Sequence, residues 1–269
     1  MRKLTKVLKA IGAVVANPWL LNHVLADDDL WQNELRKKGY PEKGLPVVDP
    51  DVLFPDFQET LSVFAFLDGG SLPTDLALLK LLARRFPACR YFEIGTWRGE
   101  SVANVADVAA HCTTLNLSEE ALLRKGFSKK YAELQGFFSQ KKDRITHLKG
   151  DSLSFDFAGL GQKYDLIFID GDHHFESVKS DTQQVFAHLV HEKSIVVWHD
   201  YAYHPEKMRP EVFAALWEGT PEEKRTHLVH VGHTLCAIYL PEKTTDTHPL
   251  EAPVVPRLNF RLTIDSRKI

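Results

Sequence analysis

Short apolar runs alternate with amphipathic segments through the middle of this chain. Runs at 90–94, 113–117, 145–148, 165–169 and 195–198 have the length and composition of strands. Segments at 101–110, 129–138 and 176–188 between them read as helices. Pro73 opens a further helix through Leu76, Leu78, Leu79, Leu81 and Leu82, ending near Phe86. Repeated strand–helix units predict an α/β fold, a parallel sheet with helices on both faces. A helix follows near 211–217. Runs at 227–231 and 235–240, separated by Gly232-His233-Thr234, predict a closing antiparallel hairpin.

The ends of the chain are patterned differently. Residues 1–40 read as helical, ending at Gly39. Arg2, Lys3, Lys6 and Lys9 interleave with Leu4, Val7, Leu8, Ile11, Val14 and Val15, the spacing of a basic amphipathic helix. The apolar run 10–16 is short for a signal peptide and the cleavage signal is poor. Asn17-Pro18 stops the run well before the ~20 residues that span a bilayer. Residues 1–16 are therefore a helix that caps the core or joins a homodimer, or one that lies on an anionic membrane surface; the first reading is preferred. Pro41, Pro46, Pro50 and Pro55 mark 41–57 as an extended linker. The expected organisation is a helical extension with linker at 1–60, a main domain at 61–241 and a tail at 242–269.

Composition narrows the partners. The chain has 269 residues, 44% hydrophobic and 26% charged, enough for a sizeable core. A net charge of −3 gives no basic excess for nucleic acid. Cys89, Cys112 and Cys236 lie far apart in apolar contexts, which predicts buried free thiols in a reducing, cytoplasmic setting, with peripheral membrane contact under the second reading of the first helix.

Ligands bind at the carboxyl ends of strands in an open parallel sheet. The first end reads Glu93-x-Gly95-x-x-x-Gly99: glycines that admit a nucleoside and an acid poised for a cationic group. Trp97 stands where a dinucleotide loop needs its middle glycine, so NAD is the weaker reading. Asn116 ends the second strand, where a carboxylate would accept from both ribose hydroxyls; Asn accepts one and donates one. Asp151, after Gly150, either receives an adenine amine or caps a helix. The fourth strand end gathers Asp170, Asp172, His173, His174 and Glu176. The fifth ends in His199-Asp200-Tyr201. Asp170 and Asp200 on adjacent strands suit Mg²⁺ or Mn²⁺. His199 is a third ligand or a hydrogen-bonded core residue. His173 faces a substrate hydroxyl whose proton it can take. His174 reads as solvated, and Glu176, Lys179 and Asp181 as the solvated face of the next helix.

The run Glu93-Ile-Gly-Thr-Trp-Arg-Gly-Glu-Ser101, with Ile169-Asp-Gly-Asp-His173, Val178-Lys-x-Asp181 and His199-Asp200, resembles class I S-adenosylmethionine-dependent methyltransferases. Within them it is similar to the macrocin-type sugar O-methyltransferases and the cephalosporin hydroxylase-like group, over roughly residues 75–240. The resemblance implies a Rossmann-like sheet of seven strands, mostly parallel with an antiparallel last strand. It implies S-adenosylmethionine held by Glu93, Gly95, Thr96, Gly99, Asn116, Asp151 and Asp170. It also implies a divalent metal on Asp170, His199 and Asp200, His173 as general base, and a small-molecule acceptor such as a sugar or phenol-like hydroxyl. Asn116 departs from the acid usual in the family.

Three rival readings are weaker. Asp172-His173-His174 spells a phosphoesterase triplet, but that family needs further aspartates on several early strands, and the runs at 90–94, 113–117 and 145–148 hold none. Tyr203-x-x-x-Lys207 suggests a short-chain dehydrogenase, but Pro205 interrupts the helix that needs. Asn116 is the feature that favours a non-catalytic binding domain.

Overall fold

The computed structural model describes residues 2–16 and 28–268. Helices α1 (Arg2–Ala16) and α2 (Asp28–Lys38) precede strand β1 (Val47–Val48), α3 (Pro50–Leu53) and α4 (Pro73–Ala83). The alternating region runs β2 (Arg90–Ile94), α5 (Glu100–Val105), β3 (His111–Asn116), α6 (Glu119–Arg124), α7 (Lys129–Glu133), β4 (Ile145–Lys149), β5 (Tyr164–Ile169), α8 (Phe175–Gln184) and β6 (Val190–Trp198). A small hairpin, β7 (Ala202–His204) and β8 (Lys207–Met208), leads to α9 (Pro210–Gly219), β9 (Leu228–Val231) and β10 (Ala237–Tyr239).

The main sheet has the order β1-β9-β10-β6-β5-β2-β3-β4. β10 is antiparallel to both its neighbours and the other pairs are parallel. The seven expected strands and the closing hairpin all form. An eighth strand comes from the proline-rich segment, where a linker alone was expected. His230 N donates to Pro46 O and Gly232 N to Val48 O, so Val47 and Val48 extend the sheet beyond β9. Pro46 and Pro50 bracket this edge strand and keep it to two residues.

Alternation along the central strands fills two cores. Phe92, Ile94, Ile167, Ile169, Val196 and Trp198 pack with Val178, Phe213 and Leu216 of α8 and α9 on one face. Tyr91, Leu166, Phe168, Ile195 and Val197 meet Leu78, Leu79, Leu82, Val102 and Val105 of α4 and α5 on the other. Cys89, Cys112 and Cys236 are buried free thiols. Helices of the alternating region are shorter than their patterns: α5 stops at Val105, α7 is five residues, and α8 passes into a wide turn at Val185–Leu189.

The preferred reading of the first helix is corrected in one of its two parts, the capping of the core. Val7, Leu8, Ile11 and Val15 of α1 are exposed, so α1 does not cap the core. The two sheet faces are covered by α4, α5, α8 and α9. The expected break at Asn17-Pro18 lies outside the described residues. Among the described residues, no helix is long and apolar enough to cross a membrane.

Helices α8 and α9 meet closely at Gly219. A Cβ there would lie 2.6 Å from Thr182 Cβ and 2.8 Å from Lys179 O. Gly219→Val should lower stability by about 1–3 kcal/mol through overpacking, measured by urea unfolding. An unchanged midpoint would show that the two helices are free to separate.

Candidate active site

The sheet ladder runs one step past the strands. Gly95 N donates to Leu115 O, Asp170 N to Ile94 O, Gly150 N to Asn116 O and His199 N to Ile169 O. Gly95, Asn116, Gly150, Asp170 and His199 therefore line a single carboxyl edge.

Gly95 holds that edge together. Its φ is +90°, and a Cβ would lie 2.0 Å from Asp170 O and 2.7 Å from Gly171 Cα. The glycine lets the first and fourth strand ends touch backbone to backbone. Gly99, at φ +80°, is closed in the same way by Ser139 Oγ, 2.3 Å from a Cβ position. The atoms that a side chain would strike at both glycines are the protein's own. Between them Thr96 is buried and its hydroxyl bonds that of Thr114. Trp97 stacks on Tyr131 with ring centroids 4.2 Å apart.

Glu93 lies one step inside the strand and is 0% exposed. It accepts from Tyr91 Oη at 2.7 Å and Thr114 Oγ1 at 3.4 Å. Burial pushes its carboxyl up to about 8, against the hydrogen bonds of Tyr91, Ser101 and Thr114. Asn116 donates from Nδ2 to Gln135 Oε1. Asp151 Oδ1 accepts from Leu153 N at 3.2 Å, so the side chain caps its own turn. A cleft of about 420 Å³ opens at these two strand ends, lined by Ser118, Lys149, Gly150 and Asp151 among others.

The fourth and fifth strand ends converge on His199. Its Nδ1 lies 3.1 Å from Asp170 Oδ1 and 3.2 Å from Asp200 Oδ2. Nδ1 is buried yet aligned for a hydrogen bond with neither carboxylate. Among the described residues, Asp170, His199 and Asp200 form a group whose ligand atoms all lie within 4.8 Å of one another. The opposite nitrogen, Nε2, lies 3.1 Å from Asp75 Oδ2. Asp75 is fully buried at the start of α4 and also accepts from Leu72 N and Leu235 N. An imidazole held by a carboxylate on one side, with its free nitrogen among oxygens, is the arrangement of a metal-ligating histidine. His199 is thus hydrogen-bonded on its core side, as one of the two expectations had it, and faces Asp170 and Asp200 on the other. Burial works against the imidazolium, but Asp170, Asp200 and Asp75 outweigh it and hold His199 well above its usual range. Burial alone would raise Asp200; His199, His173 and Arg209 instead bring it down to about 2.

His173 Nδ1 lies 3.1 Å from Asp200 Oδ2 and its side chain is 47% exposed. Asp172 turns away to solvent and pairs with His174 Nδ1 at 2.5 Å. Tyr203 and Lys207 sit on the β7–β8 hairpin and not on a helix, which removes the dehydrogenase reading. Asp75 was missed because an Asp three residues into a helix carries only the signal of a cap.

Asp181 corrects another expectation. It is 1% exposed, not on a solvated face. Residue 181 falls three places after Val178 and beside Thr182, both buried, so it shares the core side of α8. Among the described residues, its Oδ1 has no hydrogen-bond partner. Burial raises its carboxyl to about 7, eased by the Ser152 hydroxyl and reinforced by Asp151 and Asp172. Stability tied to this group is fully present below its unfolded value of 3.8 and is lost as pH rises through about 7. Asp181→Asn removes that loss, so the variant's stability relative to the unsubstituted protein should grow over this window and level off above it. Parallel stability–pH curves from denaturant unfolding would contradict the assignment.

Residues 92–201 match the family profile described as a methyltransferase domain. No curated protein matches the chain. Similar solved structures include an O-methyltransferase from Bacillus cereus in complex with S-adenosylhomocysteine, 16% identical, covering 84% of this chain and 97% of that one at a TM-score of 0.43. The S-adenosylhomocysteine-bound methyltransferase PaMTH1 from Podospora anserina is 20% identical, covering 78% and 95% at 0.45. The O-methyltransferase TomG from Streptomyces achromogenes, involved in tomaymycin synthesis and in complex with S-adenosylmethionine, is 16% identical, covering 80% and 90% at 0.41. The matched segment holds the strand ends Glu93 to Gly99, Asn116, Asp170 and His199-Asp200, so the site lies within the part of the chain that is similar to a methyltransferase domain.

Proposed function

We propose that the chain methylates a hydroxyl oxygen of a small molecule, assisted by a divalent cation, Mg²⁺ or Mn²⁺. The observation that carries this reading is the unbonded His199 Nδ1 set between Asp170 and Asp200 on the edge that also bears Gly95. The donor set fits: two carboxylates suit a hard dication, and one imidazole extends the choice toward Mn²⁺. When bound, S-adenosylmethionine supplies an activated methyl group, and a cation on Asp170, His199 and Asp200 supplies charge that acidifies an acceptor hydroxyl.

The chain's own residues do the rest. Gly95, Thr96, Asn116 and Asp151 border the cofactor crevice, with Glu93 buried beneath it. Asp75 fixes the ring of His199. Asp200 orients His173 through Nδ1, which leaves Nε2 to take the proton of an acceptor hydroxyl. The exposure of His173 keeps that nitrogen open to substrate.

A screen of hydroxylated sugars and phenols with labelled methyl donor tests this directly. Turnover should be lost with chelator and restored by Mg²⁺ or Mn²⁺. His173→Ala should lower kcat by about 10²–10⁴-fold with S-adenosylhomocysteine binding retained. Methyl transfer indifferent to chelator and to His173→Ala would leave an enzyme that works by proximity alone.

A further inference from the structure

We propose that Arg209 anchors an anionic group on the methyl acceptor, so that the acceptor is a hydroxyl compound that also bears a carboxylate or phosphate. The inference rests on the methyltransferase reading above and names its substrate class.

The β7–β8 hairpin returns the chain to the active-site edge. Arg209 N donates to Tyr201 O at 2.7 Å, one residue beyond Asp200. The Arg209 charge is felt at both Asp200 and His174. Its guanidinium lies 4.6 Å over the ring of Tyr203. That ring is itself fixed, because Tyr203 Oη donates to Asp28 Oδ1 at 2.7 Å. Arg209 therefore sits on a rigid platform beside the candidate metal ligands and the candidate base.

Its neighbours leave it without an anion. Asp28 is taken by Tyr203 and by Lys207 Nζ at 2.9 Å. Glu211 Oε1 accepts from Phe175 N at 2.9 Å. Asp200 faces His173 and His199. Among the described residues, no carboxylate comes within the 4.0 Å of an ion pair with Arg209. Its Nε is buried with no acceptor among the described residues. Arg98 also has an unbonded Nε, but its Nη2 donates to Leu67 O and Asp68 O. Among the described residues, the Arg209 side chain donates to no such carbonyl. A buried donor without an acceptor is costly unless a ligand supplies one. A guanidinium fork matches the paired oxygens of a carboxylate or phosphate, and stacking on Tyr203 presets its plane. Neutral sugars and plain phenols offer this donor only uncharged single oxygens, which make weaker bonds.

The test is calorimetry on the full chain saturated with S-adenosylhomocysteine, with salicylate, phenyl phosphate and neutral salicylamide as probes. An anionic probe should bind at least about tenfold more tightly than salicylamide, the scale of a hydrogen bond to a charged group. Tighter salicylate assigns a carboxylate, and tighter phenyl phosphate assigns a phosphate. Arg209→Gln should remove the preference and Arg209→Lys should keep part of it, both variants retaining S-adenosylhomocysteine binding as evidence of an intact fold. Equal binding of charged and neutral probes, binding of none, or a preference that survives Arg209→Gln overturns the proposal while cofactor binding stands. Failure of the unsubstituted protein to bind S-adenosylhomocysteine overturns the methyltransferase reading with it.

Discussion

The imidazole of His199 holds the active-site edge together. Three carboxylates, Asp75, Asp170 and Asp200, lie within 3.2 Å of its two nitrogens. Gathering them away from water is expensive unless a positive charge balances them. The imidazolium supplies one, and Nδ1, which bonds neither Asp170 nor Asp200, is the nitrogen that a cation of higher charge would take. The constraint reaches through the fold. Asp75 ties the ring to the start of α4 and, through Leu235 N, to the turn before β10. The antiparallel closing strand and the helix ahead of the alternating region are thus fixed to one side chain.

Around that centre the sheet divides its acids by environment. Glu93 and Asp181 are buried beside few cations, and burial pushes both upward. Asp200 is buried as well, but the positive groups around it bring it down to about 2. Neutral-leaning carboxyls therefore sit in the core while an ionised one faces the histidines. Gly95 makes this possible mechanically. Any side chain there would drive the first strand end away from the Asp170 backbone and widen the spacing of Asp170 from its neighbours.

Much of this was legible in the sequence because strands and their ends announce themselves locally. The run Arg90–Ile94 was located to the residue, and the fourth and fifth strand ends were expected to meet, as Asp170, His199 and Asp200 do. What was not legible depends on distant packing. Asp75 and His199 are 124 residues apart, and nothing near Asp75 points to an imidazole. Asp181 carries a charge that suggests solvent, yet its helical position beside Val178 and Thr182 puts it in the core. Val47 and Val48 look like part of a proline linker until β9 offers them an edge. The glycines were legible as glycines, but not the fact that Asp170 and Ser139 are what they accommodate.

The central claim is that this edge is built for a divalent cation. Mn²⁺ titration of the chelator-treated protein, followed by electron paramagnetic resonance, measures that without any substrate. The account predicts one Mn²⁺ per chain, lost in Asp170→Asn and weakened about 10–100-fold in Asp75→Asn, which leaves the ligands in place but frees the ring of His199. Absence of Mn²⁺ binding, or binding untouched by Asp170→Asn, would contradict it and leave the imidazolium as the only charge the site was built to hold.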